Sequence, residues 1–549
     1  MTGSLSLTLN DISRLPVTPN EAGPTPYKRK TSMKSLSSFL SVSTLVCSLA
    51  QAAPTIYVDV NPQENKKPIS PYIYGNNDIP PNIEGSKFSR LGGNRWSAYN
   101  WENNASNAGV DWHHQNDGYL SSSLEPGAAA LDKIHKLSTQ PNMQAVLITI
   151  PMLGYVAADK KADGDVNGTP NYLKKRFFKS LINGPRLNGK RPDIQDDFVY
   201  QSQFVDLLVA TNKADYRNLK FFYSLDNEPA LWNHTHARIQ PAKISYKKLV
   251  KTSIETAQMI KSRAPKSLIF GPALYGFTAF VNLQHAPDHK KHGHFIDYYL
   301  KEFAKVEQKT NRKLLDVLDV HWYPEVKANG RTIHVDQNSP EMIRQRVQAT
   351  RSLWDPTFKE DSWIGKSFGP IKMIPELQKK IDRYKPGTKI AITEYFYGGG
   401  SHISGAIAQA DALGIFGREG VYAATFWKMN RNIQYIGSAF QMFLNYDGAG
   451  GEFGDQSVKA TSSDIEKITA YASTSTTDGS ITLMIINKSN APQTVSHKIS
   501  QSKKVSAKGV WQIKQDQPIP QKLKAPLKVS QNRFDLTVPA LSISVMSFQ

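Results

Sequence analysis

From about residue 71 to residue 430, short apolar runs alternate with longer stretches whose apolar residues recur on one helical face. The runs at 72–74, 87–90, 145–150, 221–223, 268–270, 317–320, 390–392 and 423–427 have the length and composition of strands. Between two of them, Leu249, Val250, Ile254, Ala257 and Ile260 fall on one helix face, and Ala264-Pro265 closes that helix. Eight strands, each with room for a following helix, predict an α/β fold, a (β/α)8 TIM-like barrel over residues 71–454. Beyond about residue 455 the apolar period becomes two. Runs at 470–473, 481–486, 510–513, 534–538 and 543–546 follow one another without helices, and Asp478-Gly479 marks a hairpin turn. This region, 455–549, predicts a β-sandwich. The early strand at 55–60, within a segment spanning 53–70, is expected to join it. There is no internal repeat and no long linker, so the two domains are expected to pack together.

Residues 1–52 have a different character. Lys28-Arg29-Lys30 and Lys34 precede a moderately apolar stretch ending in Ala50-Gln51-Ala52, the pattern of a secretory signal peptide, and Met33 would give it an ordinary length. The apolar run is too short and serine-rich for a membrane anchor. Cys47 is the only cysteine, and Val46 before it argues against lipidation. Cleavage after Ala52 would leave an exported chain without disulfides, so its stability must come from its core, for which about 500 residues are ample. The formal charge of +20 falls to +17 once residues 1–52 are removed. Basic residues are scattered and no nucleic-acid motif appears, so the charge reads as solubility with weak attraction to acidic wall polymers. The protein is expected to act as a monomer.

Candidate chemistry collects where the predicted strands end. One run leads into Asp226-Asn227-Glu228-Pro229 and another into Glu394-Tyr395. Active sites of such barrels lie on this face, and two carboxylates converging on one sugar ring are the minimum for cleaving a glycosidic bond. Pro229 biases Glu228 away from helical backbone angles. Other strand ends supply Arg90 and Asn94, His321 and Tyr323, and Trp427, with Trp232 just beyond Glu228. Aromatic platforms with a few placed polar donors suit a sugar, apolar on its faces and ringed by hydroxyls. Glu228 is expected to be the acid/base, its pKa raised by apolar surroundings or a carboxylate neighbour. Glu394 is expected to be the nucleophile, kept anionic by Arg90 or Tyr323, with Asn227 holding the sugar 2-hydroxyl. Carboxylate separation, and hence stereochemical outcome, is left open.

Several stretches together resemble glycoside hydrolase family 44. They are Ser89-Arg90-Leu91-Gly92-Gly93-Asn94, Tyr99-Asn100-Trp101-Glu102-Asn103-Asn104 and Gly109-Val110-Asp111-Trp112, then Pro151 to Asp159, Leu225 to Pro229, Asp319 to Pro324, and Asn445-Tyr446-Asp447-Gly448. The resemblance implies a barrel with a β-sandwich, a retaining mechanism, and endo-attack on β-1,4-glucans such as cellulose derivatives and xyloglucan. It places the acid/base at Glu228 and the nucleophile at Glu394. A mannanase or xylanase on the same barrel, or a non-hydrolytic carbohydrate binder, are the alternatives. No cofactor is expected. Asp163-Gly164-Asp165 mimics half a calcium loop, leaving a structural calcium open, but Lys174 stands where the closing ligand would be. His113-His114 and His234-Thr235-His236 read as loop residues near the cleft rather than zinc ligands.

Overall fold

The computed structural model describes residues 55–77 and 83–549. The expected leader, with Cys47 and the Ala-x-Ala site, lies outside the described residues. The first strand, β1, is Ile56–Asn61. Eight parallel strands then close a barrel: β2 (Gly75–Asn76), β3 (Phe88–Leu91), β4 (Ala145–Ile150), β5 (Lys220–Leu225), β6 (Ile269–Leu274), β7 (Val317–Trp322), β8 (Lys389–Tyr395) and β9 (Ala423–Phe426). Every side chain of β4, β6 and β7 is buried. That is why these runs read as continuously apolar rather than alternating: one face meets the barrel interior, the other the helices. Tyr72, Phe88, Leu147, Phe222 and Phe270 form a separate apolar cluster on the interior face, with the Tyr72 and Phe88 rings 5.6 Å apart.

The run at 72–74 is not a strand. Ser70 caps and Pro71 opens a 3-10 turn over Pro71–Tyr74, and pairing begins only at Gly75. Gly75 is needed for close approach, since a Cβ there would stand 2.5 Å from the Ala424 carbonyl oxygen. The expected helix forms as α1 (Tyr246–Arg263), with Ser245 capping Lys248 N–H and Leu249, Val250, Ala257 and Ile260 buried.

The C-terminal strands are β10 (Gln456–Ser462), β11 (Ile468–Thr474), β12 (Ile481–Asn487), β13 (Gln493–Ile499), β14 (Ala507–Lys514), β15 (Gln517–Lys522), β16 (Arg533–Val538) and β17 (Ser542–Phe548). They run in the order β15-β14-β17-β12-β11-β10-β1-β13-β16 and fold over their own core, in which Val58, Leu483, Val495 and Phe548 meet. β1 lies between β10, antiparallel, and β13, parallel. All seven residues of β12 are buried. Leu483 and Ile485 face the sandwich core, whereas Met484 and Ile486 join Tyr471, Trp511, Ile513 and Val545 in the apolar cluster of the barrel helices. The sandwich therefore covers barrel surface made by α2 (Ile403–Glu419), fifteen of whose residues are buried, and α3 (Gln434–Leu444).

Candidate active site

Glu228 is set by a tight turn after β5. Asp226 (φ 62°) and Glu228 (φ 43°) both take left-handed backbone angles, which few non-glycine residues adopt. Pro229, opening the next turn, excludes a right-handed helical Glu228. Three contacts hold this backbone. The buried Asp226 carboxylate accepts from the Ser97 hydroxyl and from Met152 and Asn227 N–H. Glu228 N–H donates to the Ala273 carbonyl at 3.0 Å. The Trp232 indole donates to the Asn227 carbonyl at 2.9 Å.

Glu394 is set by an irregularity in its own strand. Opposite β7, the register steps from Val320–Ile392 to His321–Glu394, so Thr393 is an extra residue. Such a bulge re-aims the side chains that follow it. The Thr393 hydroxyl turns back onto both oxygens of buried Asp319, at 2.8 and 2.9 Å.

The two glutamates converge. One oxygen of each and one ring nitrogen of His321 all lie within 4.8 Å of one another. Arg90, fully buried, donates to Glu394 Oε1 at 2.7 Å, to Asn227 Oδ1 at 2.6 Å and to Asn77 Oδ1 at 3.2 Å. The Tyr323 hydroxyl donates to Glu394 Oε2 at 2.9 Å. Both oxygens of Glu394 are thus aimed by donors. Glu228 has a different environment: its Oε1 lies 2.8 Å from His321 Nδ1. Burial drives the His321 pKa down to about 3, so the ring is neutral. Burial, helped by Asp111 and opposed by Arg90, raises the Glu228 carboxyl to about 7. One carboxyl that keeps its proton near neutrality and one gripped by a guanidinium and a phenol are equipped for different tasks.

Of the residues expected at the site, Arg90, His321 and Tyr323 meet the glutamates directly, and Asn227 is tied to Glu394 through Arg90. Asn94 stands one step out, accepting from Asn227 Nδ2 at 3.1 Å and donating to Asp111 at 2.9 Å. Trp427 is half-buried and lies over Gly93, where a Cβ would come within 2.8 Å of the indole. Trp232 departs from its expected role: it is 2% exposed and braces the Asn227 carbonyl from within, so it offers no open face to a sugar. Asn77, Asp111, Asp226 and Asp319 were not anticipated. Asn77 follows a two-residue strand with no periodic signal, and Asp319 sits inside an apolar run. Trp363 also escaped notice. It is 44% exposed, and its indole donates to Glu325, three residues beyond Trp322.

The turn at Asp163 does not fit a cation. Arg176 takes Asp159 and Asp163, and Arg238 takes both oxygens of Asp165. Among the described residues the grouping close enough to share an ion is Glu228, His321 and Glu394; none of His113, His114, His234 and His236 belongs to it. His236 is buried and its pKa driven down to about 4 by desolvation.

The sequence profile of glycoside hydrolase family 44 matches residues 105–326. Endoglucanase A of Paenibacillus lautus is 40% identical over 515 residues, covering 90% of this chain and 73% of that protein. The chain belongs to glycoside hydrolase family 44. The structure of a family 44 xyloglucanase from Paenibacillus polymyxa with xyloglucan superposes with a TM-score of 0.84 at 38% identity, covering 90% of this chain and 100% of that one. A family 44 endoglucanase from Clostridium thermocellum gives the same score at 40% identity and the same coverage. The present family 44 enzyme is thus a glycoside hydrolase of endoglucanase or xyloglucanase type, acting on polysaccharide, and its barrel with a C-terminal sandwich is the fold of its relatives. No helix among the described residues is long and apolar enough to cross a membrane.

Proposed function

We propose that this family 44 enzyme is an exported, monomeric, retaining endo-β-1,4-glucanase that cleaves internal bonds of cellulose derivatives, xyloglucan or both. The observation that carries the stereochemical reading is the approach of the two carboxylates, with oxygens within 4.8 Å. Carboxyl groups about 5–5.5 Å apart leave no room for a water between them and the sugar, whereas inverting pairs stand about 6.5–9.5 Å apart. Glu394, aimed by Arg90 and Tyr323, attacks the anomeric carbon. Glu228 donates its proton to the departing glycosidic oxygen. A glycosyl ester on Glu394 results. Glu228, now ionised and beside neutral His321, then takes a proton from the water that hydrolyses the ester, and the β-configuration returns. The imidazole can accept a hydrogen bond from the protonated carboxyl or, as its other tautomer, donate one to the carboxylate. In this reading Asn227, which bonds Arg90 and Asn94, holds the sugar 2-hydroxyl.

The test combines two measurements. Nuclear magnetic resonance of the first product formed from a soluble β-1,4-glucan is expected to show the β-anomer. Product sizing on carboxymethyl cellulose, xyloglucan, mannan and xylan is expected to show internal cuts in the first two. An α-anomer as first product would remove the retaining reading, and preference for mannan or xylan would move the substrate.

A further inference from the structure

Between Lys498 and Arg533 the chain carries nine basic residues and one acidic residue, Asp516. All nine basic side chains, eight lysines and Arg533, are exposed. They lie at the end of β13, on β14, β15 and the start of β16, and in the loops joining these strands. Among the described residues none of the nine forms an ion pair. Lys508 feels Asp478, and Lys522 lies 5.1 Å from the Trp511 ring centre. A groove of about 830 Å³ opens in this region, lined by Lys498, Lys528, Arg533, Tyr57 and the apolar stretch Ala525-Pro526-Leu527. Asp59 and Asp535 also line it, the first in register with Lys498 and the second holding the Ser496 hydroxyl.

We propose that the basic loops and strand ends around this groove dock an acidic polysaccharide, a polymer bearing uronate carboxylates, beside the neutral glucan cleaved in the barrel. Unpaired like charges repel and oppose the compact state, and beyond Lys522 at Trp511 and Lys508 near Asp478 the fold makes no internal use of these. Charge complementarity names a polyanion, and mobile lysine point charges suit the diffuse charge of a carboxylate-bearing chain. Tyr57, 60% exposed, is the one large exposed aromatic in the groove, too little for the successive stacking platforms of single-stranded nucleic acid. The surface is strand and loop, without the amphipathic helix that lies in a membrane interface. This docking adds to the glucanase reading and does not depend on it.

The experiment uses the full exported chain with polygalacturonate in affinity electrophoresis. Retardation is expected at low salt, with loss of at least about tenfold in apparent affinity in 0.5 M NaCl, where charge attraction is screened. A variant carrying Lys503→Glu, Lys504→Glu, Lys524→Glu and Lys528→Glu is expected to lose retardation while keeping its thermal midpoint and its activity on neutral soluble glucan. The same four positions changed to Gln, a gentler substitution, are expected to give an intermediate loss. Retardation that survives both variants, no retardation of the parent chain, or tighter binding to duplex DNA or phosphatidylglycerol vesicles than to polygalacturonate would each overturn the proposal.

Discussion

Arg90 bridges the two halves of the catalytic machinery, because one guanidinium holds Glu394 and Asn227 at once. Loss of either glutamate therefore leaves a positioned but incomplete site. Glu228→Gln and Glu394→Gln are each expected to lower kcat on a β-1,4-glucan by at least about a thousandfold with the fold intact. Azide separates the roles. With Glu394→Gly it should yield a glycosyl azide of inverted configuration. With Glu228→Ala and an activated aryl glycoside the azide product should keep its configuration, and the reverse pairing would exchange the assignments. The Glu228 carboxyl, raised to about 7 by burial, must be protonated to act as the acid. The rate constant kcat/KM is therefore expected to fall as pH rises through about 7. Asp111 pushes this carboxyl up, so Asp111→Asn should move that limb to lower pH; movement to higher pH would contradict the electrostatic account.

At the scale of elements, strands aim the site through their irregular ends. Gly93 (φ 91°) turns the chain after β3 beneath Trp427. Gly93→Ala is expected both to strain the backbone and to displace the indole, lowering kcat/KM on polymer by up to about a hundredfold, with little change in thermal midpoint. Steady-state kinetics beside a melting curve would check it. Much of this scale was legible in the sequence. Buried parallel strands leave unbroken apolar runs, so seven of the barrel strands coincide with their runs, and Glu228 is flagged by the proline after it. The rest was hidden for physical reasons. Gly75–Asn76 is too short to carry a period. The bulge at Thr393 depends on pairing with a strand far away in sequence. Gln456–Ser462, Gln493–Ile499 and Gln517–Lys522 are polar on one face, and their apolar residues are too sparse to mark a strand. Trp232 has the composition of a sugar platform, and only packing reveals that it supports from below.

At the scale of the molecule, barrel and sandwich share apolar and polar contacts. Asp411, buried in α2, accepts from Thr350, Thr469 and Tyr471, and buried Lys488 stands 3.7 Å away. Removing one partner of a buried pair strands the other charge, so Asp411→Ala is expected to cost about 3–5 kcal/mol, read by denaturant unfolding. Deleting residues 455–549 uncovers α2 and α3 and should give insoluble or unstable protein; a soluble, fully active truncation would show that the barrel needs no cover. If the leader reading holds, N-terminal sequencing of exported protein should begin at Ala53. The placement of β1 also bears on the order of events during synthesis. Tyr57 pairs with Ser463, 406 residues later, so the first strand leaves the ribosome long before its neighbours exist. It can take its native pairing only after β10 and β13 have been made. Completion of this sheet thus waits on residues made 406 positions after Tyr57.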